Sequence, residues 1–493
     1  MKHVISIDQG TTGTTVMILS EKLDVAAKHN VEFKQHFPKP SWVEHDPEDI
    51  WRSVLSTLKH TLQSSKIDPD SIAAIGITNQ RETSLIWDKK AGAPIHNALV
   101  WQDRRTADLC SALKAKGLEP EFSKKTGLVL DPYFSGTKCK WLLDTYPEVR
   151  KNPKQFAFGT IDTFLVYKLS GGEAHVTDVT NASRTLLMNL EKLTWDKDCC
   201  NWLDIPLDLL PSIKSSAEVY ATTRGVDGLP DGIPIAGIAG DQQAALFGQA
   251  CFEKGDTKCT FGTGAFILMN TGTEVVRSKN GTLSTCAWQI GHGKEKGEVN
   301  YALEGSAFIA GAAVQWLRDG LGLIKNASDI EGLANQVEDS GGVVFVPALA
   351  GLGAPHWRPE ARGVISGLTR GTTKHHLARA TLEGIALQNA EIVRSMEQDC
   401  GSKMNRFKVD GGASANNTLM QLQSNVLGAD ISRPEIIETT ALGAAFLGGL
   451  GAGLWESKKQ IADVWKEQRF FRPDPEFDSA SLLKAWKNAV AKA

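Results

Sequence analysis

Two stretches of this chain, about half its length apart, share one pattern. The first runs from Val4 through Asp8-Gln9-Gly10-Thr11-Thr12-Gly13 to Leu19, the second from Thr257 through Gly262-Thr263-Gly264 to Met269. Each is an apolar or β-branched run, a tight Gly/Thr turn and a second apolar run, which predicts a β-hairpin. Glycines let a bound group approach the backbone, and successive N–H groups with threonine hydroxyls form a concavity for anions. Two acids accompany them: Asp8 ends the first strand, and Asp241 follows the strand Ile235–Gly240 and precedes a helix. Carboxylates placed beside phosphate loops bind Mg2+, usually through water, or take a proton from an attacking hydroxyl. Either Asp alone reads more simply as a turn or N-cap residue. The two hairpins together tip the reading toward chemistry, in a duplicated nucleotide-binding fold with a cleft between its halves.

A second group of residues suits a polyol. Arg81 and Glu82 end Thr78-Asn79-Gln80 after a buried strand, and an Arg beside a Glu offers donors and acceptors to neighbouring hydroxyls. The simpler alternative is a surface ion pair. Trp101 and Tyr133 could wall the pocket, or be partly buried core aromatics. In Asp410-Gly411-Gly412-Ala413-Ser414-Ala415-Asn416 the glycines admit a flat group and Asn can hold a ring or ribose; a capped strand-to-helix turn explains the same residues. No G-x-x-x-x-G-K-[ST], H-E-x-x-H or G-x-S-x-G motif occurs, so a P-loop, a zincin site and a nucleophile elbow are excluded.

The elements that must carry these groups alternate. Strands are expected at 72–78 and 235–240, and a helix starts at Asp46-Pro47. Helices are expected at 242–249, 306–317 and 375–396, with a strand at 407–409 before Asp410. This order predicts an α/β fold with mixed sheets. At 493 residues the chain should form two domains, placed at 1–250, with the first hairpin and the polyol pocket, and at 251–493, with the second hairpin and the adenosine site. The uncharged, glycine-rich stretch Thr439–Trp455 reads as a buried helix packed through small residues rather than a membrane span. A formal charge of -3 and 42% apolar residues give no reason to expect a nucleic-acid or membrane-surface partner. Eight cysteines without a C-x-x-C pair and no visible signal peptide lead to reduced thiols and a cytoplasmic setting.

Taken in order, these motifs resemble the FGGY carbohydrate kinase family over essentially the whole chain. Matching blocks also include Trp42-Val43-Glu44-His45-Asp46-Pro47, Asp131-Pro132-Tyr133-Phe134-Ser135-Gly136-Thr137-Lys138, Val179–Thr185, Tyr301-Ala302-Leu303-Glu304-Gly305 and Ala361-Arg362-Gly363. Arg81-Glu82 and Gly240-Asp241-Gln242-Gln243 point to its glycerol branch. The resemblance implies two ribonuclease-H-like domains of the actin and Hsp70 type flanking an ATP cleft. It further implies ATP- and Mg2+-dependent phosphorylation of glycerol to sn-glycerol 3-phosphate. Arg81, Glu82, Tyr133, Asp241 and Gln242 would hold glycerol, with Trp101 and Phe266 against its carbons. Thr11, Thr12 and Gly13 would lie at the first phosphate hairpin, and Thr263, Gly311, Gln315, Gly412 and Asn416 along the ATP groove. Asp241 would be the general base, with Asp8 beside it at the metal. A homodimer or homotetramer is implied as well. A pentulose, aldonic acid or tetritol is the alternative acceptor, and a non-catalytic ATP-binding module the alternative class.

Three positions depart from the family pattern. Thr15 stands where an Arg near the phosphates is usual. The loop Leu229–Pro234 lacks the Arg that some bacterial members use for a sugar bisphosphate inhibitor, and His356 replaces a Tyr.

Overall fold

Val4, Ile5 and Ile7 leave little of the first strand polar, and a run this apolar needs cover on both faces. In the computed structural model, which describes residues 1–493, that strand (β1, His3–Gln9) lies inside a six-stranded sheet. It pairs antiparallel with β2 (Gly13–Ser20), and β2 pairs antiparallel with β3 (Val25–Glu32). The expected helix α1 (Pro47–Ser65) follows, capped by Asp46, whose side chain accepts from the Glu48 N–H at 2.9 Å. On the other side of β1 lies β4 (Ile72–Asn79), in parallel. Then come β5 (Ala217–Thr222) and β6 (Pro234–Gly240): β6 is parallel to β4, and β5 closes the edge antiparallel to β6. Helix α2 (Asp241–Gly248) leaves the end of β6.

The second sheet repeats that arrangement. β7 (Asp256–Phe261) and β8 (Ala265–Gly272) form the second hairpin, followed at one edge by β9 (Leu283–Gln289) and β10 (Val299–Ala307). β10 pairs with β8, and β9 is an added edge strand on β10. After α3 (Gly311–Asp319) and the long α4 (Lys374–Cys400), β11 (Arg406–Asp410) returns parallel to β7. Helix α5 (Asn417–Leu427) leads to β12 (Ile431–Pro434), parallel to β11, and antiparallel β13 (Glu467–Phe471) closes that edge. In both sheets an antiparallel hairpin sits beside two parallel strands. The ends of the parallel strands therefore face one cleft, where open α/β sheets bind ligands. Asp8 pairs in register with Thr78, Gly240 with Asn79, and Thr260 with Asp410.

One expected helix is shorter than its sequence pattern. Ser306 and Ala307, read above as the start of a helix, extend β10 because they pair with Phe266 and Ala265 of β8. Ladder pairing outcompetes local helix propensity there, and α3 begins only at Gly311.

The uncharged stretch near the C-terminus is a buried helix, α6 (Thr439–Gly451), and no helix is long and apolar enough to cross a membrane. α6 and α2 lie between the two sheets. Their common core joins Val4 and Ala74 of the first sheet, Leu268 and Trp288 of the second, and Leu442 and Phe446 of α6. A helix from the C-terminal half thus covers a sheet from the N-terminal half. The approach depends on missing side chains: a Cβ on Gly443 would stand 1.8 Å from the Ala244 carbonyl oxygen, and one on Gly76 1.8 Å from that of Ala444. Gly443→Val should lower the unfolding midpoint by the equivalent of about 1–3 kcal/mol or more. Gly332→Ala, in open space within the helix Asp329–Ala334, should leave it unchanged or raise it by the equivalent of about 1 kcal/mol at most. Thermal melts of both proteins check this, and equal midpoints would show that α6 can shift freely. All eight cysteines are unpaired.

Candidate active site

Just past β4 the chain makes a tight turn in which the Thr83 N–H donates to the Arg81 carbonyl at 2.7 Å. Glu82 is held there at φ 60°, a region that residues with a side chain seldom occupy and that clusters at functional sites. Arg81 and Glu82 do not form a surface pair. Their side chains are 2% and 1% exposed, and they stand 3.9 Å apart. Arg81 instead forks onto Glu304 of β10, with Nη1 to Oε2 at 2.5 Å and Nη2 to Oε1 at 2.9 Å. Its Nε lies 3.0 Å from Asp241 Oδ1, and Nη1 also donates to Gln243 Oε1 at 3.2 Å. Glu82 accepts from Arg184 Nε at 2.7 Å, and Arg184 Nη2 donates to Glu304 Oε1 at 3.1 Å. Two arginines and two glutamates are thus interleaved out of water. Burial pushes the Glu304 carboxyl up, but Arg184 and Arg81 outweigh it and bring it to about 2. Burial dominates at Glu82 and raises its carboxyl against the pull of Arg184 and Arg81.

Asp241 opens α2 and keeps 30% of its side chain exposed to the cleft. Its Oδ1 also accepts from the Gln242 N–H at 2.7 Å. Asp8 lies at the end of β1, where burial and then repulsion from Asp241 raise its carboxyl to about 7. The next side chain after Asp241, Gln242, receives a hydrogen bond on Oε1 from Lys258 Nζ.

Three aromatic rings stand beside these groups. Trp101 meets Tyr133 edge-on at 5.7 Å and Phe266 of β8 edge-on at 6.5 Å. Trp101 Nε1 donates to Thr11 Oγ1 at 2.9 Å, so the apolar wall and the first hairpin turn are fastened together. The Arg184 guanidinium lies over the Tyr133 ring at 5.6 Å.

At the hairpin turns, the N–H groups of Thr11, Thr12 and Thr263 donate to nothing in the protein. Gly13 plays a different part: a Cβ there would stand 2.9 Å from the Val31 carbonyl oxygen, so its bareness serves the close approach of β3. Gly311 opens α3 and donates to the Gly262 carbonyl at 3.0 Å, which joins that helix end to the second turn. Gln315 is exposed one turn along. Gly412 begins a short turn after β11. Asn416 caps α5 by accepting from the Leu419 N–H at 2.9 Å, the capping use weighed above. A Cβ built on Gly311 would be 3.9 Å from that of Ala413, so the start of α3 and the turn after β11 meet there.

Two of the unusual positions gain an account. Thr15 is the cross-strand partner of Asp8 and accepts from Asn30 Nδ2 at 2.9 Å, a neutral hydrogen bond. His356 Nε2 lies 3.0 Å from Glu391 Oε2, which also accepts from Trp486 Nε1 at 3.1 Å. It links a loop to α4 and the C-terminal helix.

Sequence reading gave no role to Arg184, Glu304 or Lys258. The signal was present, because Glu304 is the one charge of its strand and Lys258 sits among apolar and threonine residues two positions from the start of its own. A charge in such a place is almost always paired.

Two copies of a ribonuclease-H-like sheet, with acids at the strand ends and unpaired N–H groups in two facing turns, define a phosphotransferase of the actin and Hsp70 architecture. The chain belongs to the FGGY family of carbohydrate kinases: the family's N-terminal domain matches residues 3–248 and its C-terminal domain residues 257–452. It is 58% identical to a glycerol kinase of Myxococcus xanthus over 495 residues, covering 100% of this chain and 99% of that one. To a glycerol kinase of Bdellovibrio bacteriovorus it is 55% identical over 471 residues, covering 95% and 94%. The structure of Plasmodium falciparum glycerol kinase with ADP superimposes with a TM-score of 0.92 at 37% identity, covering 100% of this chain and 98% of that one.

Proposed function

We propose that this chain transfers the γ-phosphoryl group of ATP to glycerol, giving sn-glycerol 3-phosphate. The observation that carries the reading is the contact of Asp241, open to the cleft, with Arg81, beside an aromatic wall hydrogen-bonded to the first phosphate turn. The full-length likeness to proteins named glycerol kinase supports the acceptor. Arg81 spends most of its donors on Glu304, Gln243 and Asp241, which fixes its plane. Glu82, Tyr133 and Gln242 complete the polar side for the acceptor hydroxyls, and Trp101 and Phe266 face its carbons. Asp241 takes the proton of the terminal hydroxyl as that oxygen attacks in line, with general-base help of about 10²–10⁴-fold. The N–H groups of Thr11, Thr12 and Thr263 receive charge on the phosphoryl oxygens.

Asp8 and Asp241 fit a water-bridged Mg2+, which takes one or two carboxylates plus substrate phosphates rather than a full protein cage; no cluster of three acids, histidines or cysteines is present. When bound, the ion would neutralise charge on the phosphates and offset the Asp241 repulsion that adds to burial in raising Asp8. Thr263, Gly311, Gln315, Gly412 and Asn416 would follow the nucleotide, with Thr11, Thr12 and Gly13 at its phosphates. We take residues 1–250 and 251–493 as the two domains, the enzyme as cytoplasmic, and its assembly as a homodimer or homotetramer, on the family resemblance.

Coupled ADP release with Mg-ATP tests the reading across glycerol, xylulose, erythritol and gluconate. Turnover with glycerol at least about 100-fold above the others is expected, the kind of margin a pocket matched to its hydroxyls achieves. A different preferred acceptor would overturn the assignment.

A further inference from the structure

The second sheet sends a buried lysine to the acceptor side of the cleft. Lys258 is fully buried on β7, and its Nζ reaches Gln242 Oε1 as well as Thr260 Oγ1, the latter at 2.9 Å. Gln242 follows the base Asp241 in α2 and is 6% exposed; its one side-chain hydrogen bond within the protein is the one Oε1 accepts from Lys258, and Nε2 makes none. An ammonium group has three donors and no acceptor. It can therefore bind only the oxygen end of the amide, and the NH2 end must turn away from it. Burying a cation for the sake of one amide contact and one hydroxyl is costly, and an apolar side chain of similar volume commonly fills such a place at no loss of stability. Burial does pull the Lys258 ammonium down, against the opposing field of Asp410 and then Asp241. Asp410 offsets part of that cost, but the ammonium makes its hydrogen bonds to Gln242 and Thr260 alone.

We propose that Lys258 is a positioning residue: it locks the Gln242 amide so that Nε2 donates to a hydroxyl oxygen of the acceptor. The inference rests on the glycerol reading above. Through this contact the C-terminal sheet orients a donor carried by the N-terminal half, and acceptor recognition depends on both. Without Lys258 the amide can present either end, and an oxygen facing an acceptor oxygen gives no bond unless the hydroxyl reorients.

A double-mutant cycle on the full-length enzyme tests this. Lys258→Met should raise the KM for glycerol by about 3- to 10-fold, the worth of one oriented hydrogen bond, with the KM for ATP within about twofold. In the Gln242→Ala background the same substitution should change the glycerol KM by less than about twofold, because the group it positions is gone. Lys258→Arg, which keeps a donor-only cation, should recover part of the loss. An equal penalty in both backgrounds, or a parallel rise in the ATP KM, would overturn the assignment and leave Lys258 a packing residue. Should Lys258→Met not fold, the cycle is run with Lys258→Arg, whose effect must also vanish without Gln242. A wild-type enzyme with no glycerol turnover overturns the functional reading, and this inference with it. A wild type that turns over glycerol but shows an additive cycle overturns the inference alone.

Discussion

Asp241→Asn lowers kcat by about 10³-fold or more and leaves ATP affinity within about twofold; this is the outcome expected if Asp241 is the base. Asparagine keeps the size of the side chain and an oxygen that can still accept from Arg81 Nε and from the Gln242 N–H, the two contacts that hold Oδ1. The pocket therefore stays assembled, and the loss falls on proton transfer. The split between parameters matters more than the size of the loss. A glycerol KM near wild type with a collapsed kcat marks a group that acts in the transition state. Steady-state kinetics with calorimetry of ATP binding decide the matter. A kcat within tenfold of wild type would remove Asp241 from the role of base, and a loss confined to KM would make it a binding group only.

Some of this site could be read from residue types and some could not, and the difference is one of distance along the chain. A Gly/Thr turn between apolar runs is a local object: its conformation needs glycine and its N–H groups need an occupant, so both hairpins were legible. Asp8 and Asp241 were legible for the same reason, since each ends a strand. α6 was legible because an uncharged helix of thirteen residues with Gly443, Gly448, Gly449 and Gly451 has to be buried and can be packed closely against backbone. The start of α3 was not, because Ser306 and Ala307 are claimed by strand β8, some forty residues upstream. Nor was the ion network, in which Arg81 and Glu304 are separated by 223 positions and Arg184 and Glu82 by 102. Adjacent Arg and Glu suggest a pair; the fold gives each a different partner. The expectation that Gln315 and Asn416 follow a nucleotide rests on family resemblance alone. Local pattern accounts for Asn416 only as a cap.

That network makes the second large prediction. Glu304→Ala removes the acid that both arginines share, leaving Arg81 and Arg184 with one buried partner, Glu82, and with Asp241, which faces solvent. Breaking a buried ion pair from one side typically costs ~3–5 kcal/mol, because an uncompensated charge remains. The same change frees the Arg81 guanidinium to rotate about its stem, and misplacing a positioning group by about an ångström can cost about 10²-fold in rate. The expected result is a clear drop in the thermal midpoint together with a fall of about 100-fold in kcat/KM for glycerol. Glu304→Gln separates the two effects: it keeps the shape and one accepting oxygen but sets an NH2 against a guanidinium, so kinetics should suffer more than folding. The acid dependence has a definite sign. The Glu304 carboxyl is depressed from its ordinary 4.5 to about 2, so its contribution is complete above the ordinary value and disappears as pH falls through about 2. Wild type should therefore lose stability relative to Glu304→Gln as pH drops below 4.5. A Glu304→Ala enzyme with wild-type midpoint and wild-type kcat/KM would mean that Arg81 is held by Gln243 and Asp241 alone. The fork from β10 would then be a consequence of the pocket rather than one of its causes.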